Sequence, residues 1–152
     1  RPAAKPAATM WFDRERALAA LPPLGPRTRA ACERLLPGPV TLLLADPSDP
    51  SGALGVRVPA LRGPLAPLAA MPHAVVQSSA NRAGGPDPRT VAEIPPSIRE
   101  GVDLVLDAGP LPGTPSTVID LRRYEDAGEW EIVREGAVAR AAVHATLSRP
   151  QP

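Results

Sequence analysis

Ser78-Ser79-Ala80-Asn81-Arg82-Ala83-Gly84, directly after the apolar run Ala74-Val75-Val76, is the stretch on which the fold turns. The pattern predicts a buried strand over residues 73–79 that delivers two hydroxyls, an amide and a glycine to one edge of a sheet. Open α/β sheets bind ligands in the crevice beyond the carboxyl ends of such strands. Ser and Asn offer donors and acceptors without net charge, which suits the orientation of a polar small molecule. The same seven residues also make an ordinary polar turn, so the choice falls to the rest of the chain.

Strands and helices interleave on both sides of this stretch. Upstream, residues 1–9 read as extended, and a helix is predicted over 13–21 with Asp13 as its N-cap. Pro22-Pro23 stops it. A second helix spans 26–36 and ends at Pro37-Gly38-Pro39, followed by strands over 40–45 and 54–59. In Val56-Arg57-Val58 the arginine points opposite to two valines. Downstream come a short helix over 64–71 and, beyond the 73–79 strand, a helical stretch over 90–100 broken by Pro95-Pro96. Strands follow over 102–106, 117–121 and 130–133, then an amphipathic helix over 138–147. Tight connections alternate with helical crossovers, so the expected class is α/β, a twisted mixed open sheet with helices packed on it.

With 152 residues the chain reads as one domain over 1–147 and a frayed tail over 148–152. Aromatics are only 3%, so a core drawn from the 43% hydrophobic residues is built from Ala, Val, Leu and Ile. The 22 prolines and 12 glycines approach a disordered composition, but the apolar strand runs argue for a packed centre. A net charge of +1 gives no overall commitment to nucleic acid or to an anionic membrane.

Lys5 is the only lysine, which excludes a phosphate-loop lysine, a Schiff base and lysine acid–base chemistry within these residues. Cys32 is alone, so there is neither an internal disulfide nor a thiolate zinc site, and a buried structural thiol is expected. His73 and His144 lack metal-ligand spacing. No apolar run approaches the ~18 residues of a membrane span, and no secretory signal pattern opens the chain; a cytoplasmic location is expected. The chain opens on Arg1 rather than Met, so a preceding segment is expected.

Four segments set polar groups at strand ends or on strand faces: Pro37-Gly38-Pro39-Val40-Thr41, Val56-Arg57-Val58-Pro59, Ser78 to Gly84, and Ser116-Thr117-Val118-Ile119-Asp120. Singly, each has a plain reading. The first is a rigid helix-to-strand connector and the fourth a strand start behind Pro115. Arg57 is either a sheet-edge charge or a fork aimed at a carboxylate or phosphate.

In order and approximate spacing these segments resemble the YrdC family of L-threonylcarbamoyladenylate synthases. Val133-Arg134-Glu135-Gly136-Ala137-Val138 is similar to that family's arginine–glycine segment, and Arg1-Pro2 to the tail of its Lys-x-Arg-Pro motif. The resemblance implies that L-threonine, bicarbonate and ATP, with Mg2+, give threonylcarbamoyl-AMP and pyrophosphate for tRNA threonylcarbamoyladenosine formation. It also implies tRNA or tRNA-modification proteins as partners. By position, Arg57 would clamp the threonine carboxylate, and Ser79 and Ser116 would hydrogen-bond threonine or its carbamate. Asn81, Arg89, Arg134 and Arg1 would face ATP. No protein nucleophile is implied, because the substrate's own carbamate attacks.

The departures from the family pattern are specific. Its first strands and the motif's lysine would lie upstream of Arg1, which predicts an inactive 152-residue chain. Ala53 stands where the family has an ATP-contacting threonine, Met10 where a histidine often meets threonine, and Lys5 in place of an asparagine. Arg89 takes a place often held by threonine. Two other readings accompany the synthase: a non-catalytic relative that binds nucleotide or RNA, and a carbamoyl-adenylate-forming domain of a carbamoyltransferase.

Overall fold

The computed structural model describes residues 8–49, 52–82 and 84–149. Two helices open the fold, α1 (Arg14–Ala20) and α2 (Pro26–Leu35). Asp13 caps α1 by accepting the Arg16 backbone N–H at 2.9 Å. α2 starts on Pro26, whose fixed φ suits the first helical turn, and has no capping side chain at Gly25. Glu125, from far along the chain, supplies it instead, accepting the backbone N–H groups of Thr28 at 2.8 Å and Arg27 at 3.4 Å. Those hydrogen bonds hold its carboxyl below the usual carboxylate range.

Six strands make one mixed sheet: β1 (Ala8–Met10), β2 (Val40–Ala45), β3 (Ala53–Arg57), β4 (Val75–Gln77), β5 (Thr117–Asp120) and β6 (Glu131–Arg134), in the order β4-β1-β3-β2-β5-β6. β1 runs parallel to β3 and β5 parallel to β2, while the other pairs are antiparallel. Two short helices, α3 (Pro96–Arg99) and α4 (Tyr124–Ala127), and the closing α5 (Arg140–Leu147) complete the fold. The mixed open sheet with helices is the expected class.

Strand alternation assigns the two faces. Leu42 pairs with Val56 and with Ile119, and all three sit in one buried cluster with Ala17 and Leu18 of α1, Ala31, Cys32 and Leu35 of α2, Tyr124 of α4, and Val143 and Leu147 of α5. Leu42, Val56 and Ile119 are fully buried, each removal from water being worth about 1.5–3 kcal/mol. Cys32 lies inside this cluster as expected of a structural thiol, and burial pushes it up to about 12. The residues one position away, Thr41, Arg57 and Val118, therefore project from the opposite face.

Several expectations need correction. Residues 102–106 form no strand; 101–114 run as exposed coil, with Leu104 71% exposed. A β-prone run becomes a strand only when an edge pairs with it, and none does here. The 73–79 strand shrinks to Val75–Gln77 on the sheet edge, and it is not buried: Val76 is 76% exposed. The helix over 64–71 is a 3-10 helix, Gly63–Ala70, interrupted by Pro67. The 90–100 stretch becomes a 3-10 turn at Val91–Glu93 and then α3. The N-terminal stretch, read only as extended, contributes β1 to the sheet interior between β3 and β4.

Candidate functional site

Register aligns candidate residues on the face away from the helices. Met10 is the β3-facing partner of Arg57, Thr41 pairs with Val118, and Val118 pairs with Arg134. One further step of the β2–β3 register beyond Leu42 and Val56 sets Thr41 beside Arg57. Met10, Arg57, Thr41, Val118 and Arg134 thus form one row across five strands. With neighbouring strands about 4.8 Å apart, the two arginine backbones are separated by about 14 Å, a gap that two extended guanidinium side chains can close.

Electrostatics agree with that convergence. Burial lowers the tendency of Arg57 to hold its proton, and the Arg134 charge lowers it further. Arg57 Nε is buried without a hydrogen-bond partner, and among the described residues neither arginine has a carboxylate partner. Two guanidinium groups close enough for one to weaken the other's hold on its proton, one of them seated on Ser116, suit an anion.

Ser116 is the seat of Arg134. Its carbonyl accepts Arg134 Nε at 3.3 Å and Nη2 at 2.9 Å, and its hydroxyl accepts Nη2 at 3.1 Å. The hydroxyl also meets Thr41 Oγ1 at 3.0 Å. Ser116 is 5% exposed and Thr41 8%. Gly136 permits this junction: a Cβ there would fall on the Pro115 carbonyl and within 2.6 Å of the Ser116–Thr117 peptide. Ala137 N–H donates to Pro115 O at 2.9 Å, and Thr117 Oγ1 donates to Val138 O at 2.8 Å, fastening the β6 exit to the head of β5.

Asp120, on the same face two positions beyond Val118, is a structural anchor. Burial alone would raise its pKa, but the Arg122 fork at 2.6–3.1 Å and the Arg122 backbone N–H hold it below the usual carboxylate range.

The structure thus brings Arg57, Ser116 and Arg134 together. Ser79, Asn81 and Arg89 come after the carboxyl end of β4 in the chain. Ser79 is exposed and lies two residues beyond the end of β4, whose Val75 pairs with Met10. Asn81 is half-buried and closes its own loop by donating Nδ2 to Gly85 O at 2.6 Å. Arg89 is tied to the 109–113 loop: its Nε donates to Leu111 O at 3.2 Å and its carbonyl accepts Leu111 N–H at 2.7 Å. Arg1 and Lys5 lie outside the described residues. Thr41 and Gly136, each inside a segment singled out in the sequence, were given no role of their own there. The signal for Thr41 was a lone hydroxyl alternating with Val40 and Leu42.

The model of the Sua5/YciO/YrdC family, described as telomere recombination, matches residues 1–136. The chain belongs to this family. Its fold is similar to that of two solved structures of P. abyssi Sua5. A doubly substituted variant has 24% identity and a TM-score of 0.76 over 95% of this chain and 43% of its own. The L-threonine complex has 22% identity and a TM-score of 0.75 over 97% and 45%. The chain therefore spans less than half the length of those Sua5 chains, and at such identities the likeness concerns the fold. The solution structure of the MTH1692 protein from Methanobacterium thermoautotrophicum has 32% identity and a TM-score of 0.58 over 90% of this chain and 66% of its own. No individually curated protein matches significantly.

Among the described residues, no group of three His, Cys, Asp or Glu could hold a metal ion, and no helix is long and apolar enough to cross a membrane.

Proposed function

We propose that this chain carries the threonine- and phosphate-handling face of an L-threonylcarbamoyladenylate synthase. The reaction joins L-threonine and bicarbonate as a carbamate, which attacks the α-phosphate of ATP to give threonylcarbamoyl-AMP, pyrophosphate and water. The product serves tRNA threonylcarbamoyladenosine formation. The observation that carries this reading is the mutually repelling pair Arg57 and Arg134, with Arg134 bonded to Ser116 and Arg57 Nε buried and unsatisfied. Arg57 takes the threonine carboxylate and Arg134 the phosphate oxygens, where charge develops on the α-phosphate and the leaving group.

Ser116 hydrogen-bonds the threonine or its carbamate; Ser79, Asn81, Arg89 and Arg1 complete the contacts from the loops and the N-terminus. Mg2+ reaches the site on the triphosphate as part of the substrate, bound mainly through phosphate oxygens and water. Positioning can supply much of the rate without a protein nucleophile.

Isothermal titration of L-threonine and of ATP tests the reading. Arg57→Ala is expected to abolish threonine binding and spare ATP; equal loss of both overturns the assigned role. Threonine- and bicarbonate-dependent pyrophosphate release from the native protein tests the reaction, and a requirement for carbamoyl phosphate favours the carbamoyltransferase reading instead. Met10 beside Arg57 and Ala53 four positions earlier on the same strand favour a second reading, a nucleotide- or RNA-binding relative without turnover. Binding of threonine and ATP without pyrophosphate release would select it.

A further inference from the structure

We propose that Thr41 is a positioning residue whose hydroxyl turns the Ser116 hydroxyl into a donor toward the ligand; this rests on the reading of the open face as a threonine site. Both hydroxyls are buried, and buried hydroxyls are held by hydrogen bonds. Ser116 Oγ has one proton and two lone pairs. Arg134 Nη2, which can only donate, occupies one lone pair at 3.1 Å. Thr41 Oγ1, at 3.0 Å, can stand on either side of the remaining bond.

When Thr41 donates, the second lone pair is filled and the Ser116 proton is free for an acceptor on the open face. When Ser116 donates to Thr41, it meets an incoming oxygen with a lone pair. A carboxylate or carbamate held by Arg57 beside Ser116 can only accept from the hydroxyl and so selects the first arrangement. Thr41 is suited to hold it. Its backbone is paired in the sheet interior against β5 and β3, and β-branching stiffens χ1, so the hydroxyl stays in place without a ligand.

The test is a double-mutant cycle on L-threonine affinity, measured by calorimetry on the native protein with ATP affinity in parallel. Thr41→Val keeps the side-chain shape and removes the hydroxyl. It is expected to weaken threonine binding about five- to tenfold while ATP affinity stays within about twofold. Thr41→Ser is expected to restore most of the loss. In a Ser116→Ala background, Thr41→Val is expected to add nothing. Thr41→Cys, with only a weak donor, is the second variant should valine prevent folding, and is expected to lose affinity in the same direction. Unchanged threonine affinity in Thr41→Val, or an equal loss with and without Ser116, overturns the inference alone. A wild-type protein that binds no L-threonine overturns the threonine-site reading and this inference with it.

Discussion

Arg134 at the end of β6 grips Ser116 at the head of β5 through three hydrogen bonds, two to its carbonyl and one to its hydroxyl. The sequence separates them by 18 residues, and only the antiparallel β5–β6 pair restores the contact. The arrangement fixes one cation on the open face, while the other, Arg57, has no neutralising partner among the described residues.

That imbalance has a stability signature. A half-buried guanidinium with an unsatisfied Nε and a like charge nearby costs folding free energy. Arg57→Met, which keeps the apolar stem and removes the charge, is expected to melt at the same temperature as wild type or a few degrees higher. Thermal unfolding by circular dichroism checks this. A large fall in melting temperature would mean that Arg57 is a structural residue.

Gly136 should tolerate no side chain. Its missing Cβ would collide with backbone at Pro115 and Ser116, which cannot rotate away as a flexible side chain could. Gly136→Ala is expected to destabilise the fold by about 2 kcal/mol or more, read as a lowered urea midpoint. Threonine affinity should fall as well, because Arg134 is pushed off Ser116.

The N-terminus of α2 makes a capping prediction. Serine is ordinarily a better N-cap than glycine, yet a Cβ at Gly25 would land on the Glu125 carboxyl group. Gly25→Ser is therefore expected to stabilise less than a serine N-cap ordinarily does, because its Cβ displaces the Glu125 carboxylate that already caps α2. Glu125→Ala is expected to cost about 1 kcal/mol through the same lost bonds to Thr28 and Arg27. Denaturant titration of both variants and of the double variant should reveal non-additivity.

Cys32 on the alkaline side, and Asp120 together with Glu125 on the acid side, shape the pH dependence of stability. The Cys32 thiol ionises near 9.0 when exposed and near 12 when folded. Above pH 9 the unfolded chain releases a proton that the native chain keeps, so stability declines by about 1.4 kcal/mol per pH unit until the folded thiol also ionises. Cys32→Ala should flatten that alkaline decline, and the native thiol should resist alkylation at pH 8. On the acid side, Asp120 is depressed when folded, so its contribution is present above the ordinary carboxylate range and is lost as pH falls through the folded value. Asp120→Asn should remove that part of the acid transition.

The coil at residues 101–114 carries apolar side chains in water. Leu104→Ser and Val105→Thr are expected to change stability by no more than about 0.5 kcal/mol and to reduce binding of a hydrophobic dye. Substantial unfolding would instead mean that these side chains are packed.

The legible parts of the fold were those governed by local chemistry. β2 was read at its observed limits because a short, mostly apolar run opening on Val-Thr lies between a Pro-Gly-Pro turn and an aspartate. α1 and α2 were bounded by Asp13 and Pro26. β1 was illegible because three residues become a strand only through partners 47 positions or more away. Residues 102–106 misled for the converse reason, propensity without a neighbouring edge. At the site, Arg57 stood out as a charge between two buried valines. Thr41 did not, because threonine in a strand is also ordinary β-forming sequence. The Gly136 requirement arises from a backbone crossing that no local pattern encodes.

One feature of the burial pattern reaches further. From Pro59 to Pro115 no described residue is buried, whereas Val58 and Ser116 on either side are. The molecule therefore keeps its packed core, and the strands that position Arg57, Ser116 and Arg134, apart from the long exposed stretch that carries Ser79, Asn81 and Arg89. Exposed segments tolerate changes of length and sequence far better than a packed core does, so that stretch can be rewritten while the scaffold beneath the two arginines stays intact.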